Sequence, residues 1–177
     1  MRVVGFSGFS GAGKTTLMEG VIRALRAQGQ RVSVVKHAHH GLVVDQPGKD
    51  SWRHREAGAY EVVAASSEHL MLVRSFERPQ ALSPHDLIRA LHPGVDWVLV
   101  EGFRDSNLLR IEVWRHETGH PARYPDDAFI VAIATDSPER MPEATLRPVL
   151  DLNRPDALAQ WLLDNGTRFD YDPQAYL

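Results

Sequence analysis

The chain is 177 residues long, with 43% hydrophobic residues, no cysteine and a formal net charge of −3. The lack of cysteine excludes a disulfide framework and thiolate catalysis, and the slightly acidic balance argues against broad binding to nucleic acid or to a membrane surface. No apolar stretch approaches the roughly 18 residues of a membrane span. We therefore expect a cytoplasmic protein with one domain over residues 1–177, in which the tail 167–177 is loosely ordered.

A strand over 2–7, a glycine-rich loop and a helix over 14–28 are predicted at the start of the chain. Residues 8–15 read Gly-Phe-Ser-Gly-Ala-Gly-Lys-Thr, the complete G-x-x-x-x-G-K-[ST] phosphate loop. The glycines let backbone N–H groups approach a β-phosphate, Lys14 reaches the β- and γ-oxygens, and the Thr15 hydroxyl can ligate Mg²⁺. The predicted nucleotide contacts in this loop are Gly8, Gly11, Ala12, Gly13, Lys14 and Thr15. The motif predicts binding of a nucleoside triphosphate.

A polar segment follows the second predicted strand, which covers 31–36. The chain has only three lysines, Lys14, Lys36 and Lys49, against 17 arginines. One of the three is predicted to contact phosphate, so we infer that Lys36 and Lys49 also need a compact ammonium group at an anion. Two surface lysines that arose by chance are the other interpretation.

Three histidines, His37, His39 and His40, lie within four residues of this segment. Imidazole is a common ligand of Zn²⁺ and Ni²⁺, so one interpretation is a transition-metal site. In an extended segment, however, His37 and His39 point to one side and His40 to the other, so a three-histidine site would need a turn. A second interpretation is an anion-binding or phosphate-sensing role, in which His37 is the candidate for contacting the nucleotide. A third is a polar loop with no specific function.

Further along the chain, β-rich runs alternate with helical patterns, which is typical of an α/β fold. The remaining predicted strands are 61–65, 69–74, 96–101, 109–115 and 129–134, and the remaining helices are 51–58, 84–92 and 155–164. Ser83 is the predicted N-cap of the helix at 84–92, with Asp86 three residues on. We predict a P-loop NTPase fold with a mainly parallel sheet, helices on both faces and some antiparallel edge strands.

The apolar run from Asp96 to Glu101 is typical of a buried parallel strand that ends in a carboxylate, as a Walker B element does. Both acids are candidates for holding Mg²⁺. Ligands of open parallel sheets bind at the carboxyl ends of the strands, so Glu101 is the predicted magnesium ligand, directly or through a water. A solvated acid at a strand end is the alternative.

The last two predicted strands leave two questions. Ile111, Val113 and Trp114 fit either an edge strand that pairs with another chain or a strand of the core.

The N-K-x-D motif for guanine is absent, because no lysine occurs beyond Lys49. We predict that Asp136 replaces it by accepting hydrogen bonds from guanine N1–H and the exocyclic amine, which adenine does not present together. A turn-forming aspartate is the alternative.

Four motifs together resemble the molybdopterin-guanine dinucleotide biosynthesis protein B (MobB) family over residues 3–136. They are G-F-S-G-A-G-K-T-T, V-V-K-H-A-H-H, D-Q-P-G-K-D-S-W-R-H-R-E-A-G-A and V-E-G-F. The phosphate loop alone is shared by many families, but the block from Lys36 to Ala59 is much more discriminating. The resemblance implies a homodimeric GTP-binding P-loop protein with weak hydrolysis. It also implies that the protein assists the guanylyltransferase that attaches GMP to molybdopterin, a MobA-like partner.

The resemblance also assigns residues. The family's nucleotide site corresponds to Gly11, Gly13, Lys14, Thr15 and Thr16, and its Walker B acid corresponds to Glu101. The second block corresponds to Lys36, His37, Asp45, Gly48, Lys49, Asp50 and Arg53, whose roles the resemblance leaves open.

Hydrolysis requires charge stabilisation on the transferring phosphoryl group and an oriented water. Lys14 and Mg²⁺ supply the first, and the candidate catalytic residues are Lys14, Glu101, Asp45 and Asp50. None of them is an obvious water-positioning residue. We therefore predict slow turnover unless a partner completes the site.

Three functions fit these residues. The first is a GTP-binding accessory protein, or adaptor, of molybdenum cofactor biosynthesis. The second is a small P-loop kinase, whose arginine-rich lid would come from Arg104–Arg110 or Arg115–Arg123. The third is a metal-delivery GTPase that uses the His37, His39 and His40 cluster.

Overall fold

The structure is a computed structural model that describes residues 1–38 and 41–176. His39 and His40, on which the three-histidine hypothesis depends, lie outside the described residues. The chain divides into two compact units, one made of residues 1–37 and 83–176 and the other of the described residues between 38 and 82.

Eight strands and four α-helices are described. The strands are β1 Arg2–Ser7, β2 Val32–Lys36, β3 Glu61–Ala65, β4 Leu70–Arg74, β5 Trp97–Glu101, β6 Arg110–Val113, β7 Ile130–Thr135 and β8 Val149–Asp151. The helices are α1 Lys14–Ala27, α2 Asp50–Glu56, α3 Pro84–Arg89 and α4 Pro155–Asp164. Short 3₁₀ segments complete the first unit, two of them in the tail at Gly166–Phe169 and Pro173–Tyr176.

The first unit is built on a six-stranded parallel sheet with the order β2-β5-β1-β6-β7-β8. Its central strands are apolar and buried because helices cover both faces, as parallel sheets require. Val4, Phe6 and Leu99 point to the face that packs against α1 and α4. Val3 and Val98 point to the opposite face, against Ile88 of α3. The predicted α/β fold with helices on both faces is confirmed.

The strand β6 lies inside this sheet, between β1 and β7. Ile111 and Val113 are buried, and so is Trp114 just beyond the strand. The edge-strand interpretation of this run is therefore wrong, and the core interpretation is right. The sequence pattern could not distinguish the edge strand from the core strand, because a buried central strand and an edge strand that pairs with another chain are equally apolar.

The second unit contains α2 and the antiparallel pair β3–β4, in which Val63 lies opposite Leu72. This pair is a separate two-stranded sheet, whereas the sequence predicted antiparallel strands at the edges of the main sheet. Val63, Leu70 and Leu72 lie on one face of the hairpin and are each more than half exposed. Within the ranges that the structure describes, no helix is long and apolar enough to cross a bilayer.

Candidate nucleotide-binding site

The phosphate loop connects β1 to α1 at the carboxyl edge of the sheet. It begins at Gly8, whose φ is 145° and whose ideal Cβ would lie 2.2 Å from the carbonyl oxygen of Val113. Any side chain at this position would collide with the backbone of β6. Glycine therefore lets the loop turn directly over the sheet edge, and Ala12 is buried beneath it.

The loop ends at Gly13, the N-cap of α1, with φ of 92°. No side chain among the described residues caps this helix, so its first N–H groups remain available to a ligand. A 14-residue helix also presents the positive end of its dipole here. Thr15 and Thr16 lie in the first turn, where both are exposed. The loop and the helix terminus therefore form an anion-binding arrangement.

Lys14 is folded back onto its own loop. Its Nζ donates a hydrogen bond to the carbonyl oxygen of Phe9 at 2.8 Å. Burial lowers the pKa of the Lys14 ammonium below its ordinary value of 10.5; the Glu101 carboxylate opposes this shift and the Lys36 ammonium adds to it. A phosphate oxygen at the loop would replace the Phe9 carbonyl with a charged partner, which binds an ammonium more strongly.

Glu101 joins three elements at the end of β5. Its Oε1 accepts a hydrogen bond from the Thr15 hydroxyl at 2.9 Å, and its Oε2 lies 3.1 Å from the Nζ of Lys36 at the end of β2. The Glu101 side chain is only 13% exposed, whereas that of Lys36 is 55% exposed. The sheet order therefore brings together one acid, one hydroxyl and two ammonium groups beside the phosphate loop.

Asp96, the other acid of this strand, lies at its opposite end. Its Oδ2 accepts a hydrogen bond from the backbone N–H of Arg31 at 2.7 Å, where it ties β5 to the start of β2. Asp96 therefore has a structural partner away from the loop, and Glu101 is the acid that meets Thr15.

The chain after β5 is unusual in its backbone. The N–H of His37 donates to the carbonyl oxygen of Glu101 at 3.0 Å, and the His37 ring stacks on Phe103 at 4.6 Å between centroids. Phe103 has φ of 50°, in the left-handed region that non-glycine residues seldom occupy. Such strained backbone is often found at functional sites. His37 thus lies beside Glu101 and packs on the loop that follows it.

A second charged pair lies on the other side of the phosphate loop. The Nε of Arg115 lies 3.1 Å from Oδ2 of Asp136, and the Arg115 guanidinium lies 3.8 Å from the position that a Cβ on Gly13 would take. Oδ1 of Asp136 accepts a hydrogen bond from the Ser137 hydroxyl at 2.9 Å. Asp136 is a residue that the sequence predicts at the nucleobase, whereas Arg115 is predicted only as part of a lid. Its position two residues after β6 was the signal that could have found it.

The loop between β6 and β7 is anchored by a buried carboxylate. Glu112 accepts hydrogen bonds from the backbone N–H groups of Arg123 and Tyr124, both at 2.8 Å. Its pKa is raised above the ordinary value because it is buried, although the two N–H donors oppose this shift. His120 of this loop stacks on Phe9 of the phosphate loop at 4.2 Å between centroids. The loop therefore borders the site, and no sequence pattern predicts this contact.

Two arginines of the proposed kinase lid, Arg110 and Arg123, are held by the fold. Arg110 is buried, its Nε donates to the carbonyl oxygen of Leu108 at 3.2 Å, and its guanidinium pairs with Asp127 at 3.4 Å. Arg123 pairs with Asp105 at 3.2 Å. A mobile lid needs arginines that are free to reach phosphate, and Arg110 in particular is committed to the core.

The remaining candidates belong to the second unit, which we describe by itself. Oδ1 of Asp45 accepts a hydrogen bond from the N–H of Gln46 at 2.8 Å. Lys49 is the N-cap residue of α2, and Asp50 in its first turn lies 3.8 Å from Arg53. Roles for Asp45, Lys49 and Asp50 at the nucleotide stay predictions. Among the described residues, no group of three or more histidine, aspartate or glutamate side chains is arranged to hold a metal ion.

Comparisons with known proteins point to one family. The sequence model described as Molybdopterin guanine dinucleotide synthesis protein B (MobB) matches residues 3–136. The chain is 38% identical over 162 residues to the Molybdopterin-guanine dinucleotide biosynthesis adapter protein of Haemophilus influenzae, covering 90% of this chain and 86% of that protein. It is 34% identical over 164 residues to the protein of the same name in Escherichia coli, covering 92% and 91%.

Solved structures agree with the sequence comparisons. The crystal structure of a MobB protein homolog from Bacillus stearothermophilus superposes with a TM-score of 0.71 at 25% identity, covering 95% of this chain and 99% of that one. The phosphate loop, the second polar block and Glu101 all lie within the matched residues 3–136. The chain therefore belongs to the MobB family of molybdopterin guanine dinucleotide synthesis proteins.

Proposed function

We propose that this protein binds GTP with Mg²⁺ at the phosphate loop and acts as an adapter in molybdopterin guanine dinucleotide biosynthesis. One observation carries the nucleotide part of the proposal: Lys14, Thr15 and Glu101 meet at the uncapped end of α1. The names of the relatives in Haemophilus influenzae and Escherichia coli support the adapter part.

The chemistry of the donors fits magnesium. Thr15 and Glu101 offer a hydroxyl and a carboxylate oxygen 2.9 Å apart, which are the hard oxygen ligands that Mg²⁺ prefers. These two residues would hold the ion, which would neutralise negative charge on the β- and γ-phosphates. With the ion bound, Thr15 and Glu101 would both hold it in place of their mutual hydrogen bond.

The chain's own groups bind and orient the triphosphate. The N–H groups of the loop and of the first turn of α1 donate to the β-phosphate, and the Lys14 ammonium leaves the Phe9 carbonyl for the phosphate oxygens. Lys36 is 55% exposed and adjoins Glu101, so its ammonium can swing to a γ-phosphate oxygen. In this arrangement His37 borders the γ-phosphate side of the site.

Hydrolysis is proposed to be slow. In the proposed complex Glu101 would hold Mg²⁺ together with Thr15, so it would not be free to orient a water. Asp45 and Asp50 stay candidates for that task. A nucleotide-binding protein that lacks its own water-positioning residue depends on a partner for turnover, which suits an adapter. The proposed partner is a MobA-like molybdopterin guanylyltransferase.

We also propose that the chain forms a homodimer through its β3–β4 hairpin. A two-stranded sheet is marginally stable by itself in water, and this one exposes Val63, Leu70 and Leu72 on a single face. A second copy would cover that apolar face. This proposal concerns the second unit and does not depend on the nucleotide.

The nucleotide proposal is tested by titrating GTP with Mg²⁺ into the wild type and into Lys14→Ala by calorimetry. We expect the variant to lose about 100-fold or more in affinity, because a charge-assisted contact to phosphate is removed from a partly buried site. Arg23→Ala is the control, because Arg23 is an exposed cation further along α1 that pairs weakly with Glu19. Equal affinities of Lys14→Ala and the wild type would refute the site.

The adapter proposal needs its own measurements. We expect steady-state GTP hydrolysis by the isolated chain to stay well below about one turnover per second, the lower end of ordinary enzymes. We expect a molybdopterin guanylyltransferase to be retained by the immobilised wild type. Rapid hydrolysis without a partner, or transfer of the γ-phosphate to a metabolite, would instead indicate an enzyme in its own right.

A further inference from the structure

We propose that Arg115 and Asp136 form a nucleobase-recognition pair, in which Arg115 donates to guanine O6 and Asp136 accepts from guanine N1–H and the exocyclic amine. The inference rests on the proposed binding of GTP and names the residue that sets its specificity. Arg115 is the additional residue, since the sequence by itself points only to Asp136 for guanine.

The sheet order decides which end of the nucleotide meets this pair. Relative to β1, the strand β5 with Glu101 lies on one side, and β6 and β7 lie on the other. The Thr15 and Glu101 pair, and with it the γ-phosphate end of the ligand, belongs to the β5 side. The nucleoside must therefore leave the phosphate loop towards β6 and β7. Arg115 and Asp136 are the first charged residues beyond these two strands.

The Arg115 side chain has unused hydrogen-bonding capacity. Its Nε is buried and has no hydrogen-bond partner among the described residues. The Nε also lies 3.1 Å from Oδ2 of Asp136, so the two charges attract although the N–H geometry is not that of a hydrogen bond. A buried donor without a partner is costly, and native structures usually explain one by a ligand or a water. Because the Nε is itself inaccessible, a planar acceptor edge would meet the outer N–H groups of the guanidinium, on a side chain that is 32% exposed.

Guanine matches the pair in its pattern of charges. Its O6 acceptor and its N1–H donor are neighbours on the ring, as the guanidinium and the carboxylate are neighbours here. Adenine reverses the pattern, with an amino donor where guanine has O6 and an acceptor where guanine has N1–H. Arginine would then face a donor and aspartate a lone pair. The pair therefore selects guanine partly by leaving polar groups unsatisfied with adenine.

The backbone that carries both side chains is tied down by hydrogen bonds. The carbonyl oxygen of Arg115 accepts a hydrogen bond from the Thr118 hydroxyl at 2.9 Å, and the N–H of Trp114 donates to Ala134 at 3.0 Å. The second bond ties the end of β6 to the end of β7. The Arg115 and Asp136 side chains are 32% and 24% exposed, so a ligand can still reach them. A recognition pair of this kind is pre-organised before binding.

The test compares GTP, ITP and ATP, each with Mg²⁺, on the wild type, Arg115→Gln and Asp136→Asn. ITP has O6 and N1–H but lacks the exocyclic amine. We expect Arg115→Gln to lose about 10- to 100-fold in affinity for both GTP and ITP and less than about 3-fold for ATP. We expect Asp136→Asn to abolish the preference for GTP over ITP. Asparagine is preferred to alanine, because it keeps the shape of the side chain beside Arg115.

Arg23→Gln is the matched control for loss of a cation, because Arg23 lies exposed on α1 away from the pair. Thermal denaturation establishes that each variant is folded. If Arg115→Gln does not fold, Arg115→Lys keeps the positive charge beside Asp136 but lacks the planar fork, and we expect it to lose selectivity as well.

Two outcomes overturn the nucleobase-recognition pair without affecting the proposed binding of GTP. One is an equal loss of affinity for GTP and ATP in Arg115→Gln, which would make Arg115 a phosphate contact. The other is an unchanged preference of Arg115→Gln for GTP. A wild type that binds ATP as tightly as GTP would instead defeat the proposed binding of GTP, and the pair with it. The wild-type measurement therefore separates the two failures.

Discussion

Gly8 is the residue at which the phosphate loop depends most directly on the sheet. Its ideal Cβ would lie 2.2 Å from the Val113 carbonyl oxygen, and its φ is 145°. Gly11 also has a positive φ, of 81°, but nothing lies within 4 Å of its ideal Cβ. The two positions therefore separate the cost of a steric clash from the cost of backbone strain.

We predict that Gly8→Ala lowers the free energy of unfolding by about 2 kcal/mol or more, because β6 must shift to admit the methyl group. Gly11→Ala should cost only about 1 kcal/mol, the cost of a left-handed conformation. Urea denaturation without nucleotide measures both. Equal losses of unfolding free energy in the two variants would show that the close contact with Val113 does not contribute to the cost.

Residue types and spacing were sufficient to select the groups that the structure brings together beside the phosphate loop. The motif predicted Lys14 and Thr15, and the rule for parallel strands selected Glu101 over Asp96; the structure places Glu101 2.9 Å from Thr15. Arg115 could not be ranked in this way. The chain has 17 arginines, and only the fold distinguishes one beside Gly13 from one in the core, such as Arg110.

At the scale of elements, the loop between β6 and β7 depends on Glu112. This carboxylate accepts two backbone N–H groups, so its loss would take the acceptor from both donors. Glutamine would turn an N–H group towards at least one of them. We predict that Glu112→Gln destabilises the fold by about 1 to 3 kcal/mol, measured by urea denaturation at pH 7.

The pKa of Glu112 also predicts a pH dependence. Because burial raises the folded-state pKa above the ordinary value of 4.5, the folded state binds this proton more tightly than the unfolded state. The contribution is therefore fully present below pH 4.5 and is lost as the pH rises through the folded-state pKa. We expect the stability difference between wild type and Glu112→Gln to shrink over that window. A difference that grows with pH would mean that the two N–H bonds outweigh the burial.

Helices and strands were well predicted where the signal is local. Ser83 and Asp86 form the predicted capping box at the start of α3, with the Asp86 N–H donating to the Ser83 hydroxyl and the Ser83 N–H to the Asp86 carboxylate. The end of that helix was overestimated, since α3 stops at Arg89 rather than at residue 92. Local patterns define a beginning through a cap, whereas at this end Arg89 donates to the carbonyl oxygen of Tyr176 in the tail, a contact that no local pattern specifies.

At the scale of the whole molecule, the proposed dimer gives a further prediction. Leu72→Lys would place a charge on the apolar face of the β3–β4 hairpin, opposite Val63. We expect this variant to be monomeric and the wild type dimeric in size-exclusion chromatography with light scattering, because burying an unpaired charge is costly.

Leu146→Lys is the control, because Leu146 is a fully exposed apolar residue of the first unit. It should leave the oligomeric state unchanged. A wild type that is monomeric at high concentration, or a Leu72→Lys variant that is still dimeric, would contradict the proposed interface.

The sequence alone determined the glycine-rich loop between β1 and α1 and the α/β class, because both arise from short-range patterns: a glycine-rich loop, helix caps and apolar runs of strand length. Only the tertiary structure decided that β6 is internal and that β3 and β4 form their own sheet. It also decided that Arg115 meets Asp136 beside Gly13. Those features depend on which strands become neighbours, and strand order follows from long-range packing that no local pattern specifies.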